Sequence, residues 1–401
     1  MRADRRNVLI LAAAQALVHS ASVLAMALGA LVGGHLAADK ALATLPIAAM
    51  VVGTALTALP AALFMRRVGR RAGFMTGAAI GLAGSLTAAF AVYAGSFALF
   101  VFGHALLGGY QGFTNYYRFA AGEAAAEDFR SRAISWVIAG GVVAAVVGPQ
   151  LASTTRDLLA PHAFVGSYLA QGALTLLALA VLVRLRMPAA VEAAAHGPVR
   201  PLREIARQPT FLVALGGAAV AYAVMILVMT ATPVAVVGCG LPLADAFQVI
   251  QWHVLGMFVP SFFTGALIAR YGAPRIMAAG FALLAGHVAI ALSGVGFMHF
   301  ASGLVLLGVG WNFAYVGGTT LLTTAYRPVE RHRAQAVNDF AVFGSVALAS
   351  LSSGWLYHAF DWQTLNLAAL PFLGAALAAT LALARYCQRR MESSGASPCS
   401  A

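Results

Sequence analysis

Residues 8–32 read VLILAAAQALVHSASVLAMALGALV, twenty-five positions without a charged side chain. An α-helix of about 20 mostly apolar residues crosses the hydrocarbon of a bilayer, so this run is long enough to span it. The preceding Met1 to Arg6 carries Arg2, Arg5 and Arg6, as the start of a signal peptide does. The apolar run nevertheless continues past the roughly 7–15 residues of a signal peptide's core, and it reads as a first transmembrane helix.

Eleven further runs follow at 41–64, 73–93, 97–119, 132–155, 163–186, 210–235, 243–267, 274–294, 298–325, 336–358 and 364–386. Twelve spans with short connections account for a chain of 401 residues that is 61% hydrophobic and 9% charged. A soluble domain carries about 25% charged residues, so a soluble enzyme is excluded. The runs are too long for the alternating strands of a barrel. Their Ala, Gly, Leu and Val content suits helices that approach one another closely. The expected fold is an all-α integral membrane protein embedded in lipid.

The net charge of +12 does not mark a nucleic-acid surface, because the cations are arginines between apolar runs and Lys40 is the one lysine. No basic stretch is interleaved with stacking aromatics, so no nucleic-acid partner is expected. With the N-terminus in the cytoplasm, 22 of the 25 basic residues fall on the inner side and only Lys40 and Arg156 on the outer. This asymmetry predicts an inner (cytoplasmic) membrane location, both termini inside and an even number of spans. Residues 187–209, with Pro188, Pro198, Pro201 and Pro209, read as a cytoplasmic linker between halves at 1–186 and 210–386, followed by a tail at 387–401. The halves echo one another: Arg67-Val-Gly69 recurs as Arg270-Tyr-Gly272, and Arg132-Ala133 as Arg333-Ala334. Two parallel six-span repeats describe one class of secondary transporters.

Polar residues within spans identify candidate solute contacts. At 100° per residue, His104, Gly108, Gln111, Asn115 and Arg118 lie within about 40° of one direction on span four. Gly308, Asn312, Tyr315, Thr319 and Thr323 lie within about 60° on span ten. Lipid cannot satisfy such groups, so both stripes are expected to face a solute path; the alternative is hydrogen bonding that only holds helices together. Span one shows Gln15, His19, Ser22 and Met26 on one face, and span seven Tyr222, Met225, Met229 and Pro233. Gln248 and Trp252 share a face of span eight, with His253 turned toward another neighbour. An apolar surface with sparse polar anchors suits a small organic solute.

The sequence holds no HExxH, GxSxG or Walker loop, and its three cysteines have no metal-ligand spacing, so neither an enzyme nor a bound metal or cofactor is expected. All thirteen acids fall in loops or near span ends, Asp245 and Asp339 among the latter. A proton coupled to transport would then be carried by histidine, which titrates near pH 6.5, with His19 and His104 the candidates.

The loop after span two completes the pattern. Ala62, Arg66 and Gly69-Arg70-Arg71 align with a Gly-x-x-x-Asp-x-x-Gly-Arg-Arg/Lys motif, with Ala62 in place of its glycine and Arg66 in place of its acid. On this motif, and over essentially the whole chain, the sequence resembles the major facilitator superfamily, and within it the twelve-span drug:proton antiporter branch. In span four His104 stands where that branch carries an arginine four residues before Gly108, and in span five Gly148-Pro149 retains part of the antiporter motif. Trp311-Asn312-Phe313 and Val337-Asn338-Asp339-Phe340 are similar to stretches of bacterial members of unassigned substrate.

The resemblance implies twelve helices as two pseudo-symmetric six-helix bundles, with spans one, four, seven and ten lining a central cavity. Solute contacts are then expected from Gln15, His19, Gln111, Asn115, Tyr222, Trp252, Trp311, Asn312 and Tyr315. Gating is expected from Gly69, Arg70, Arg71, Arg118, Gly148, Pro149 and Asp339, the last as a latch toward the arginine-rich loop. The implied activity is proton-coupled efflux of a small organic solute by a monomer. A proton-linked or passive importer of a nutrient or vitamin-like solute is the alternative in the same fold, and a membrane sensor or scaffold the alternative outside it.

Overall fold

The computed structural model describes residues 2–125, 130–187, 200–327 and 330–394. Most of the expected linker (188–199) and the end of the tail (395–401) lie outside the described residues.

The apolar runs fold as helices throughout. The first six spans are α1 (Arg2–Leu36), α2 (Leu45–Val68), α3 (Arg70–Tyr93), α4 with α5 (Phe97–Thr114, Tyr117–Ala124), α6 (Arg130–Thr155) and α7 (Val165–Leu182). A short α8 (Leu202–Ala206) follows the linker. The last six are α9 (Pro209–Gly238), α10 with α11 (Leu243–Phe258, Ser261–Tyr271), α12 (Ala273–Ser293), α13 (Phe297–Thr323), α14 (Arg331–Ala359) and α15 with α16 (Trp362–Leu367, Leu370–Ser394). Among the described residues eleven stretches are individually long and apolar enough to cross a membrane. The fourth span, broken at Asn115–Tyr116, makes the twelfth. The break between α10 and α11 falls at Pro260, which lacks the N–H an unbroken helix needs.

Polar residues stop and start the helices where the backbone needs partners. Asp361 caps α15 by accepting from the Thr364 N–H at 2.6 Å, and Ser96 caps α4 by accepting from Leu99 at 3.4 Å.

The two repeats are visible in backbone geometry. Gly69 ends α2 and opens α3 at φ 87°, ψ 159°, and Gly272 ends α11 and opens α12 at φ 84°, ψ 147°. This region is essentially reserved for glycine, because a Cβ clashes there. Each N–H closes the preceding helix in the same register, onto the carbonyl of Met65 or of Ile268. The helices that follow also pack alike. A Cβ on Gly84 would stand 2.9 Å from the Gly103 carbonyl in α4, and one on Gly280 2.7 Å from the Gly310 carbonyl in α13. Both crossings therefore depend on small residues letting backbones touch.

Compactness divides the chain at places other than the linker. The first unit is Met1–Val191 with Thr230–Val254 and Ser350–Ala359; the second is Glu192–Met229, Leu255–Ala349 and Phe360–Ala401. One end of α9, of α10 and of α14 thus packs with the first six spans. Hydrogen bonds within the first unit explain this. Thr44 Oγ1 donates to the Ser350 carbonyl at 3.2 Å and accepts from the Gly354 N–H at 3.1 Å, and Gln150 Nε2 donates to Gln251 Oε1 at 3.4 Å.

In the second unit the described end of the linker is clasped. Glu330 is fully enclosed and accepts from Arg200 Nη2 at 2.8 Å, Arg200 Nε at 2.9 Å, and the N–H groups of Arg200 and Arg327 at 3.0 and 2.9 Å. The Arg200 guanidinium, with the two N–H groups, pulls the Glu330 carboxyl down to about 2. A bidentate guanidinium–carboxylate pair with its remaining lone pairs satisfied holds Arg200, two residues before α8, to the loop between α13 and α14.

Candidate solute-binding surfaces

In the first unit α1 and α4 share a polar face. Gln15 Nε2 donates to His19 Nε2 at 2.8 Å one turn along α1, so that ring nitrogen accepts. One turn further, Ser22 Oγ donates to Gln111 Oε1 at 2.8 Å, joining the helices and leaving the Gln111 NH2 free to donate elsewhere. Asn115 lies one turn beyond, half-buried at the break between α4 and α5, its amide without a partner among the described residues. Arg118 is exposed, its guanidinium 4.9 Å from the Phe119 ring centroid and near enough to His19 for its charge to act there. Amides, imidazole and guanidinium together suit a solute with several hydroxyl or carbonyl oxygens.

The helical stripe on span four is split by its neighbours. Gln111, Asn115 and Arg118 keep some exposure, whereas His104 and Gly108 are sealed against α2 and α7. His104 is fully buried, with Nδ1 3.0 Å from the Phe100 carbonyl, Nε2 3.4 Å from the Tyr168 hydroxyl and its ring 4.4 Å from that of Phe100. Both nitrogens are committed to the core of the first unit, away from the polar face. Gly108 lies against the Met50 carbonyl of α2 so closely that a Cβ has no room.

The second unit presents rings instead. Trp311 and Tyr315, one turn apart on α13, stack with centroids 5.1 Å apart and planes 10° from parallel. Tyr222 of α9 leans on both, 5.4 Å from Trp311 at 57° and 5.2 Å from Tyr315 at 59°. Phe343 of α14 extends the group, 6.4 Å from Tyr222. Trp311 is 8% exposed and its indole N–H has no acceptor, while Tyr222, Tyr315 and Phe343 are half-buried. Phe343 was not legible as a site residue, because nothing on span eleven sets it apart from a packing aromatic.

Asn312 lies beside these rings in sequence but serves another purpose. It is 1% exposed; its Nδ2 donates to the Met257 carbonyl at 2.8 Å and Ser261 Oγ at 2.7 Å, and its Oδ1 accepts from Thr264 Oγ1 at 2.6 Å. These bonds tie α13 to both sides of the α10–α11 break, supplying Met257 with a donor where Pro260 interrupts the helix. Its amide is spent on the fold. Trp252, on α10, is 51% exposed and joins neither surface.

Among the expected gating residues, Arg70 makes a bidentate pair with Glu123 of α5, at 2.6 and 3.2 Å, while Arg71 is exposed. Gly148 and Pro149 lie where α6 crosses α1, a Cβ on Gly148 standing 2.8 Å from Val23. Asp339 is exposed and accepts from Asn338 Nδ2 at 3.2 Å. His287, in the second unit, is fully buried and bonded to Asn366 Oδ1 at 2.9 Å, a core pair joining α12 to α15.

The family model described as Major Facilitator Superfamily matches residues 9–260. The riboflavin transporter RfnT of Brucella anthropi is 47% identical over 377 residues, covering 94% of this chain and 95% of that protein. The chain belongs to the Major Facilitator Superfamily. The uncharacterized MFS-type transporter YdeG of Bacillus subtilis is 28% identical over 355 residues, covering 84% of this chain and 83% of its own. Two solved structures share the fold. A nucleoside transporter, NupG, has TM-score 0.72 at 15% identity, covering 94% of this chain and 99% of its own; a D-xylose–proton symporter has TM-score 0.72 at 12% identity, covering 94% and 96%. This superfamily member is therefore a twelve-span, two-bundle membrane transporter of a small solute, and not an enzyme.

Proposed function

We propose that this transporter imports riboflavin or a closely related flavin. The observation that carries the reading is 47% identity, sustained over nearly the full length of both chains, with a protein named as a riboflavin transporter. The two surfaces have the matching chemistry. The stacked rings of the second unit suit a planar fused ring, and, taken by itself, the polar face of the first unit suits hydroxyl groups. Vitamin uptake, the alternative drawn from the sequence, thus takes precedence over drug efflux.

Within this proposal the arginine-rich side is cytoplasmic, with both termini there in the inner membrane. The ends of α10 and α14 that bond to Gln150 and Thr44 are then the outer ends. Gln15, His19, Gln111 and Asn115 bind the oxygen-rich part of the solute. His19, half-buried and hydrogen-bonded on that surface, is the group through which transport responds to protons; His104, enclosed by Phe100 and Tyr168, is the weaker candidate.

The test is growth and labelled uptake in a riboflavin-auxotrophic bacterium that lacks its own flavin importer. Expression of this protein is expected to restore growth at limiting riboflavin and to accumulate labelled vitamin. Normal membrane levels of the protein without uptake would overturn the reading.

A further inference from the structure

We infer that the aromatic group Tyr222–Trp311–Tyr315–Phe343 reads the solute's fused ring by stacking, so that the protein also binds planar fused heteroaromatics lacking any sugar-alcohol tail. This rests on the flavin reading above and extends it to a second class of ligand.

Three observations carry it. The first is the near-parallel pair. Trp311 and Tyr315 lie 10° from parallel with centroids 5.1 Å apart, an offset stack one turn apart on α13 to which a further flat ring can be added. The second is convergence with partial exposure. Tyr222, Tyr315 and Phe343 come from three helices and retain accessible ring surface, whereas the rings packed into the first unit's core, Phe74, Phe100, Tyr117 and Tyr168, are fully buried. Partly exposed rings gathered from three helices can accept another flat π-system, and such stacking tolerates different heterocycles because each has a π-face.

The third observation is the indole N–H of Trp311, a donor within this ring group that has no acceptor among the described residues. The rim of an isoalloxazine carries acceptors for such a donor, its two carbonyl oxygens and the nitrogens N1 and N5, beside one N–H. These lie on the ring system and not on the ribityl chain, so ring recognition is separable from recognition of the tail.

The experiment uses the full-length protein in proteoliposomes, with lumiflavin and lumichrome as ring-only probes, ribitol as a tail-only probe and riboflavin as reference. Competition for labelled riboflavin uptake is read alongside quenching of flavin fluorescence, since an electron-rich indole or phenol stacked on an excited flavin quenches it. The expected result is competition and quenching by both ring-only compounds and no competition by ribitol. Tyr315→Leu is expected to weaken lumiflavin and riboflavin alike, by about tenfold or more, whereas Tyr315→Phe, which keeps the ring, retains both. Uptake of riboflavin by the parent with no competition from lumiflavin and lumichrome would overturn this inference and leave the flavin reading standing. So would equal flavin affinity in Tyr315→Leu and the parent. Absence of any riboflavin binding or uptake by the parent would overturn both.

Discussion

An amide on span four and an amide on span ten, Asn115 and Asn312, occupy similar stripes in sequence and opposite situations in the structure. Asn115 sits half-buried at a helix break with its hydrogen-bonding capacity unused, while Asn312 is enclosed and makes three bonds that repair a helix break. The same division runs through the two units. The polar face on α1 and α4 of the first unit keeps Gln111 and Asn115 partly exposed; in the second unit Asn312 is buried while the neighbouring Tyr222 and Tyr315 are partly exposed. Repeats that share a backbone have therefore diverged in what they offer a solute, and polarity within a span does not by itself mark a binding residue.

The sharpest way to break this contrast is to remove each amide. Asn312→Leu removes the donor from the Met257 carbonyl and the partner from half-buried Ser261, while Thr264 keeps the Pro260 carbonyl, and a loss of about 1–3 kcal/mol is expected. Thermal unfolding in detergent would show it as a lower Tm and reduced membrane yield. Near-parental stability combined with lost solute affinity would make Asn312 a binding residue after all.

Of similar size is the test of the shared backbone. Gly69→Ala and Gly272→Ala each place a Cβ at φ above 80°, with an expected cost of about 1–3 kcal/mol in each case. Equal Tm losses support the equivalence of the two repeats. A loss at one position only would show that the matching dihedrals conceal different environments.

The clasp on the second unit sharpens the comparison through pH. Glu330 is held at about 2, below its ordinary 4.5, so its contribution is complete above pH 4.5 and fades as the pH falls toward 2. Glu330→Gln is expected to lower stability by about 1–2 kcal/mol near neutrality. The gap between variant and parent should narrow across that acidic window, and a gap independent of pH would contradict the ionic origin of the clasp.

The smallest expected effect belongs to the first unit's polar face. Asn115→Leu is expected to leave Tm unchanged and to weaken riboflavin uptake by up to about tenfold, the size of one neutral hydrogen bond of about 0.5–1.5 kcal/mol. Unchanged apparent affinity would remove Asn115 from the solute surface and restrict that surface to Gln15, His19 and Gln111.

By itself the sequence determined the membrane class, the twelve spans and the repeat. Each follows from local quantities: the length of an apolar run against the thickness of a bilayer, the asymmetry of arginines in the loops, and a glycine recurring where two helices meet at a conformation reserved for it. Helical spacing also placed Gln111 with Asn115, and Trp311 with Tyr315, on common faces. Only the tertiary structure decided what stood opposite those faces. Periodicity gives the direction in which His104 and Asn312 point; whether that direction holds open space, or Tyr168, or a broken helix in need of a donor, depends on residues about 50 to 70 positions away in the chain. Phe343 and the Arg200–Glu330 clasp were hidden for the same reason. Their meaning lies in partners more than a hundred residues distant, and a hydrogen bond or a ring contact acts over a few ångströms of space, without regard to separation along the chain.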